Sequence, residues 1–121
     1  MGYGLSAADA KRGSSMTDYF ASVLSHARFK EDKSAKVDLF KGNHLFAGLN
    51  CFEPGQTQPV HTHAAADKFY FLVTGKARMT VGSETREASA GDVVWAPAGV
   101  PHGVELALER TVMLVAIGPG L

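Results

Sequence analysis

The 121 residues predict an all-β domain, a sandwich or barrel preceded by one short helix. Three observations carry this. From Val37 onward, short runs rich in Val, Ile, Phe, Leu and Thr are cut by Gly, Pro and Asn roughly every 6–12 residues. Lys76–Val81 alternates cleanly, with Ala77, Met79 and Val81 on one side and Arg78 and Thr80 on the other. Helical spacing is confined to one place, Thr17–His26. Ten or so strands then result, and among closed β architectures a double-sheet jelly roll accommodates them best.

Residues 1–15 are rich in Gly, Ser and Ala without a period, and read as a loose arm or the extension upstream of a start at Met16. The remainder, 16–121, reads as a single domain. Phe20, Val23 and Leu24 recur at helical spacing, with Thr17 as N-cap and His26 near the C-terminal dipole. Strand character begins at Val37–Phe40, and Lys41-Gly42-Asn43 is a hairpin turn because Gly and Asn tolerate positive φ. The long strand His44–Phe52 carries Leu45, Ala47, Leu49 and Cys51 on one face and His44, Phe46, Gly48, Asn50 and Phe52 on the other. An isolated barrel buries one such face, so the other calls for a second subunit and a homodimer is expected. His44 reads as an edge or surface residue.

Glu53-Pro54-Gly55-Gln56 turns the chain into a strand holding His61 and His63. A small-residue loop, Ala64–Asp67, leads to the β-rich run Phe69–Val73, and Thr74-Gly75 turns it into Lys76–Val81. Gly82-Ser83 is a two-residue hairpin signal, and the polar Glu84–Ala88 suits a protected edge. Pro97 and Pro101 exclude helix, and Thr111–Ile117 closes the chain. Trp95, Phe69, Phe71 and Met79 are expected in the core.

Twelve basic and twelve acidic residues balance, which leaves no basic stripe for nucleic acid. No run approaches the ~18–20 apolar residues of a membrane span. The single Cys51 excludes an internal disulfide and reads as a buried small hydrophobe, so a reducing cytoplasm is the default. No Gly-x-Ser-x-Gly elbow or Gly-rich phosphate loop is present.

His61 and His63, two apart on an extended strand, project to one side, and imidazole is the commonest metal ligand. Polar residues at a strand end are the plainer explanation of that pair. The surrounding residues add to it. Gly55 precedes His61 by five intervening residues, and Gly75 follows the β-rich run. Downstream, Gly91, five residues, Pro97, one residue, Gly99, two residues and His102 repeat a fixed spacing. This pattern resembles the two-part signature of the cupin superfamily over Gly55–His102. The resemblance implies a double-stranded β-helix, or jelly-roll barrel, and a metal held by His61, His63 and His102.

Two positions depart from the signature. Leu106 stands where the family has Asn, and the metal-binding Glu is missing. Counting forward from His63 puts Asp67 in its place; counting back from Gly75 puts Lys68 there. Strand alternation favours Asp67 inward, because Phe69, Phe71 and Val73 then share its face, leaving Lys68 and Tyr70 outside. Burying each Phe is worth about 2–3 kcal/mol. Asp67 is thus the candidate fourth ligand, or a group reaching the metal through water.

Three imidazoles without a thiolate suit one divalent Fe, Zn, Ni, Mn or Cu and leave coordination positions open, which is the catalytic rather than the structural pattern. The expectation is a metal-dependent oxygenase, isomerase or lyase acting on a small organic molecule. The alternative is a non-catalytic barrel that binds a metal or metabolite, because fold alone does not choose between them.

Overall fold

The computed structural model describes residues 19–119. Nine strands are present among them: β1 Ala35–Lys41, β2 Phe46–Phe52, β3 Gln58–His61, β4 Asp67–Thr74, β5 Lys76–Val81, β6 Glu84–Ser89, β7 Val93–Ala96, β8 His102–Ala107 and β9 Thr111–Gly118. They form two antiparallel sheets. One has the order β1-β2-β9-β4-β7, the other β3-β8-β5-β6. The alternation of β5 places Ala77 and Met79 inside, and the polar β6 is an edge strand, as its composition predicts.

The facing surfaces of the sheets enclose one core of Phe52, Tyr70, Leu72, Met79, Val104, Met113 and Val115 with smaller residues between them. Fully burying a side chain of this size contributes about 1.5–3 kcal/mol. Turn geometry closes the barrel. Gly75 has φ +90°, and a Cβ there would run into the backbone of Arg110 and Thr111, so only glycine fits.

Several expectations are corrected. The only helix among the described residues is α1, Val23–His26, shorter than the stretch Thr17–His26; Thr17 and residues 1–15 lie outside the described residues. Ser22 is extended (φ −87°, ψ 113°) and makes no side-chain cap, and a single turn has little stability of its own. Phe20 is exposed rather than part of an apolar stripe. β2 begins at Phe46, two residues later than expected, and His44 is exposed as expected.

Both faces of β2 are buried within this one chain. Leu49 and Cys51 on its outer face pack with Ala35 and Val112, and Val23, Ala27 and Phe29 close over them. Gln56 Nε2 donates to the Lys30 carbonyl (2.8 Å), and the Arg110 guanidinium sits over the Phe29 ring (3.8 Å), which ties that segment down. Neither face of β2 is therefore left for a partner to cover. Cys51 is buried, as read from the sequence, and burial holds its thiol pKa above the ordinary value.

Trp95 and Phe69, placed in the core by composition, lie outside instead. They form a cross-strand pair on the outer face of β4 and β7, 56 % and 37 % exposed, beside exposed Val93. The register of β4 is the reverse of the one predicted. Lys68, Tyr70 and Leu72 point inward and are buried, whereas Asp67 and Phe69 are exposed. Tyr70 and Leu72 supply enough apolar area to fix that register. The ring of Tyr70 also carries the ammonium of Lys68 at 4.4 Å from its centroid, which offsets part of the cost of burying that charge.

Candidate metal centre

The site is built at one end of the barrel, between the sheets. Antiparallel pairing of β3 with β8 sets His61 directly opposite His102. Gly103 permits the close approach of these strands, since a Cβ there would meet the Gln58 carbonyl oxygen at 2.7 Å. His63 follows just beyond β3. Its carbonyl accepts the Gly99 N–H (2.9 Å), which fastens the Pro97–Gly99 turn, and hence the start of β8, to the His61–His63 segment. The two histidine-bearing stretches, far apart in sequence, are thus held together by backbone bonds.

The three rings converge. Centroids lie 4.5 Å apart for His61 and His102, 5.0 Å for His61 and His63, and 5.4 Å for His63 and His102. One ligand nitrogen from each falls within 4.8 Å of the others. Among the described residues this is the one such group of three His, Cys, Asp or Glu side chains.

Tautomers are set by the backbone. His61 Nδ1 lies 2.9 Å from the Pro59 carbonyl and His102 Nδ1 lies 2.9 Å from the Val100 carbonyl. A carbonyl only accepts, so each Nδ1 carries the proton and each Nε2 keeps its lone pair. His102 is fully buried, and its Nε2 has no hydrogen-bond partner. A buried nitrogen lone pair without a donor is costly unless a cation takes it. Ring orientation by carbonyls is also how metal-binding histidines are commonly held. The residues present therefore fit a metal.

Burial pushes the pKa of His63 down, with His61, Lys68 and Lys36 adding repulsion. The His102 pKa is lowered by burial too, against the raising effect of its bond to Val100, with Lys68 and the other two histidines contributing further. Both shifts favour the neutral, ligand-competent ring.

Asp67 and Lys68 resolve differently from the sequence expectation. The Asp67 carboxylate is exposed, and its Oδ1 accepts the Ala98 N–H at 2.9 Å. It anchors the Pro97–Gly99 turn from outside and is not in the histidine group. Lys68 is inward, 4 % exposed, and burial lowers its pKa to about 8, with Lys36 as a further cause.

A cavity of about 270 Å³ opens over His61 and His63. Its opposite wall comes from the five-stranded sheet: Lys36 and Asp38 of β1, Gly48 and Asn50 of β2, and Lys68 of β4. Asn50 is buried, and its Nδ2 makes no hydrogen bond. Asn50 and Lys36 were not singled out from the sequence. The available signal was one amide on an otherwise apolar or glycine strand face.

The family model described as Cupin domain matches residues 48–118. The chain belongs to the cupin superfamily. The Streptomyces coelicolor protein SCO3923, itself uncharacterized, is 35 % identical to this cupin over 85 residues, 70 % of this chain and 80 % of the relative. Among solved structures, TT1209 from Thermus thermophilus is 33 % identical and superposes with a TM-score of 0.79, covering 83 % of this chain and 96 % of that one. An RmlC-like cupin from Desulfovibrio desulfuricans is 25 % identical, with a TM-score of 0.77, covering 84 % and 97 %. These agree with the two-sheet barrel described above. No helix among the described residues is long and apolar enough to cross a membrane.

Proposed function

We propose that this cupin holds one divalent transition metal (Fe, Zn, Ni, Mn or Cu) on His61, His63 and His102 and uses it on a small organic molecule, in oxygenase, isomerase or lyase chemistry. The observation that carries the metal is the buried, partnerless Nε2 of His102, in a group of three histidines that each offer one ring nitrogen within 4.8 Å of the others. A bound dication would polarise a substrate oxygen or lower the pKa of a bound water. The chain's own contribution is to orient three neutral imidazoles and to leave one side open. That open side faces a cavity below the ~300–1,000 Å³ range of drug-sized pockets, which suits a small metabolite.

The proposal is tested by elemental analysis of protein purified without a histidine tag. It expects one transition metal per chain in the wild type and a strong loss in His102→Ala. Wild-type protein that takes up no metal stoichiometrically contradicts it. Oxygen consumption with catechols, flavonols and β-diketones separates catalysis from mere binding. The second reading, a non-catalytic barrel, predicts metal without turnover of any of them.

The same reading includes a homodimer and a reducing cytoplasmic setting. Support for the dimer is the exposed apolar group Phe69, Val93 and Trp95. Support for the setting is a lone, buried cysteine.

A further inference from the structure

Among mostly apolar residues, the polar side chains of the wall facing the histidines are Lys36, Lys68, Asn50 and Asp38, three donors and one carboxylate. Lys68 Nζ has no hydrogen bond or ion pair with any described residue, although the side chain is 4 % exposed. Asn50 is equally buried, lines the same cavity and leaves its Nδ2 without an acceptor. Lys36 is the cross-strand neighbour of Asn50 on the cavity face, and Asp38 is the one carboxylate in the lining. Two ammonium groups and an amide donor therefore stand against one carboxylate. A buried donor without an acceptor, as Asn50 Nδ2 is, is rare in folded chains and points to a ligand that supplies one.

Lys68 also occupies the position of the superfamily signature's single metal-binding Glu when the loop is counted back from Gly75. With lysine there, that position adds no negative charge to a metal on the histidines. The charge it leaves uncompensated is positive.

We propose that the cavity binds a small organic carboxylate, held by Lys68 and Asn50, with Lys36 at the mouth and the remainder of the molecule directed toward the histidines. This rests on the metal reading for the direction of the ligand's reactive end, but not for its capture. An ionised acceptor on a buried ammonium and a neutral amide is the strong, charge-assisted kind of hydrogen bond. Removing the ammonium is expected to weaken binding at least about tenfold. The cavity, about 270 Å³, restricts the ligand to roughly metabolite size.

The test is calorimetric titration of the full chain, both metal-stripped and zinc-loaded, with malonate, its uncharged analogue malonamide, and inorganic phosphate. The expected result is one malonate per chain, malonamide weaker by at least tenfold, and phosphate weaker than malonate. Lys68→Met is expected to weaken malonate at least tenfold, and Lys68→Arg to stay within a few fold of wild type. Should Lys68→Met not fold, Asn50→Asp places a carboxylate in the same wall and is expected to reduce malonate binding at least tenfold. Equal binding of malonate and malonamide overturns the proposal, as does a folded Lys68→Met that binds malonate like wild type. Phosphate binding tighter than malonate overturns the carboxylate assignment. Zinc content is measured in the same samples. Malonate discrimination in a chain that takes up no zinc sustains this inference and removes the metal; full zinc occupancy without discrimination does the reverse.

Discussion

Lys68 is the side chain that most changes the picture of the site. A charged amine buried beside three imidazoles raises the free energy of the folded chain. Burial, with Lys36 as a further cause, lowers its pKa from 10.5 to about 8, the direction expected of such a cost. The unfolded chain then binds more protons than the folded one between those two pH values, so stability rises with pH across that window. Lys68→Met is expected to stabilise the metal-free chain by roughly 1–3 kcal/mol at pH 7. The gap to wild type should close from pH 8 toward 10.5. Urea denaturation of both proteins across this range checks it, and a pH-independent gap contradicts it. For His63 and His102 the depressed pKa values also mean that the unfolded state takes up more protons below about 6.5. The metal-free protein is therefore expected to lose stability as pH falls below that point.

Asp67 illustrates what was and was not legible in the residues. The signature fixes a loop length only to within one position, and apolar burial is the criterion the residues offer for choosing. That criterion assumes one core. Here the outer face of β4 is itself apolar, so Phe69 and Phe71 carried no information about direction, and Tyr70 with Leu72 decided the register. The convergence of His61, His63 and His102 was legible because strand parity and the Pro97–Gly99 corner fix it locally. The donors of the opposite wall were not, because Lys36, Asn50 and Lys68 meet only through the order of three strands and β9. Asp67→Ala is expected to keep metal affinity within about 10–100-fold, acting through the turn it holds. Complete metal loss in a folded Asp67→Ala would falsify this reading of its role.

At the scale of the elements, the pairing of β3 with β8 is what brings two distant histidine segments together. Its tightest point is Gly103, with the Gln58 carbonyl where a Cβ would go. Gly103→Ala is expected to destabilise the fold by about 1–3 kcal/mol and to weaken metal binding, because the strands have to separate. Thermal denaturation with and without zinc measures both effects. A variant as stable and as metal-competent as wild type would show that the strand spacing does not govern the site. The helix and the long β2 strand were recognisable from period and length, but their ends were not. One helical turn and two residues of a hairpin are decided by tertiary contacts, here those of Val23, Ala27 and Phe29 on β2.

For the whole molecule, β2 is covered by its own chain, and the proposed dimer is assigned to the outer face of β4 and β7. Phe69, Val93 and Trp95 form the exposed apolar group there. A dimer built on it is expected to dissociate in Trp95→Lys, with wild type at twice the chain mass by light scattering at micromolar concentration. A monomeric wild type contradicts the dimer and leaves the site untouched, because every histidine and every cavity residue comes from one chain. The central claim is that this single chain presents a complete three-imidazole metal site. Its most direct measurement is a zinc titration at pH 7.5 of metal-stripped wild type and His102→Ala, followed by calorimetry. The account predicts one site per chain in the wild type, weakened by orders of magnitude in the variant and fading in the wild type below about pH 6 as the rings protonate. Equal zinc binding by the two proteins, or none by the wild type, would contradict it.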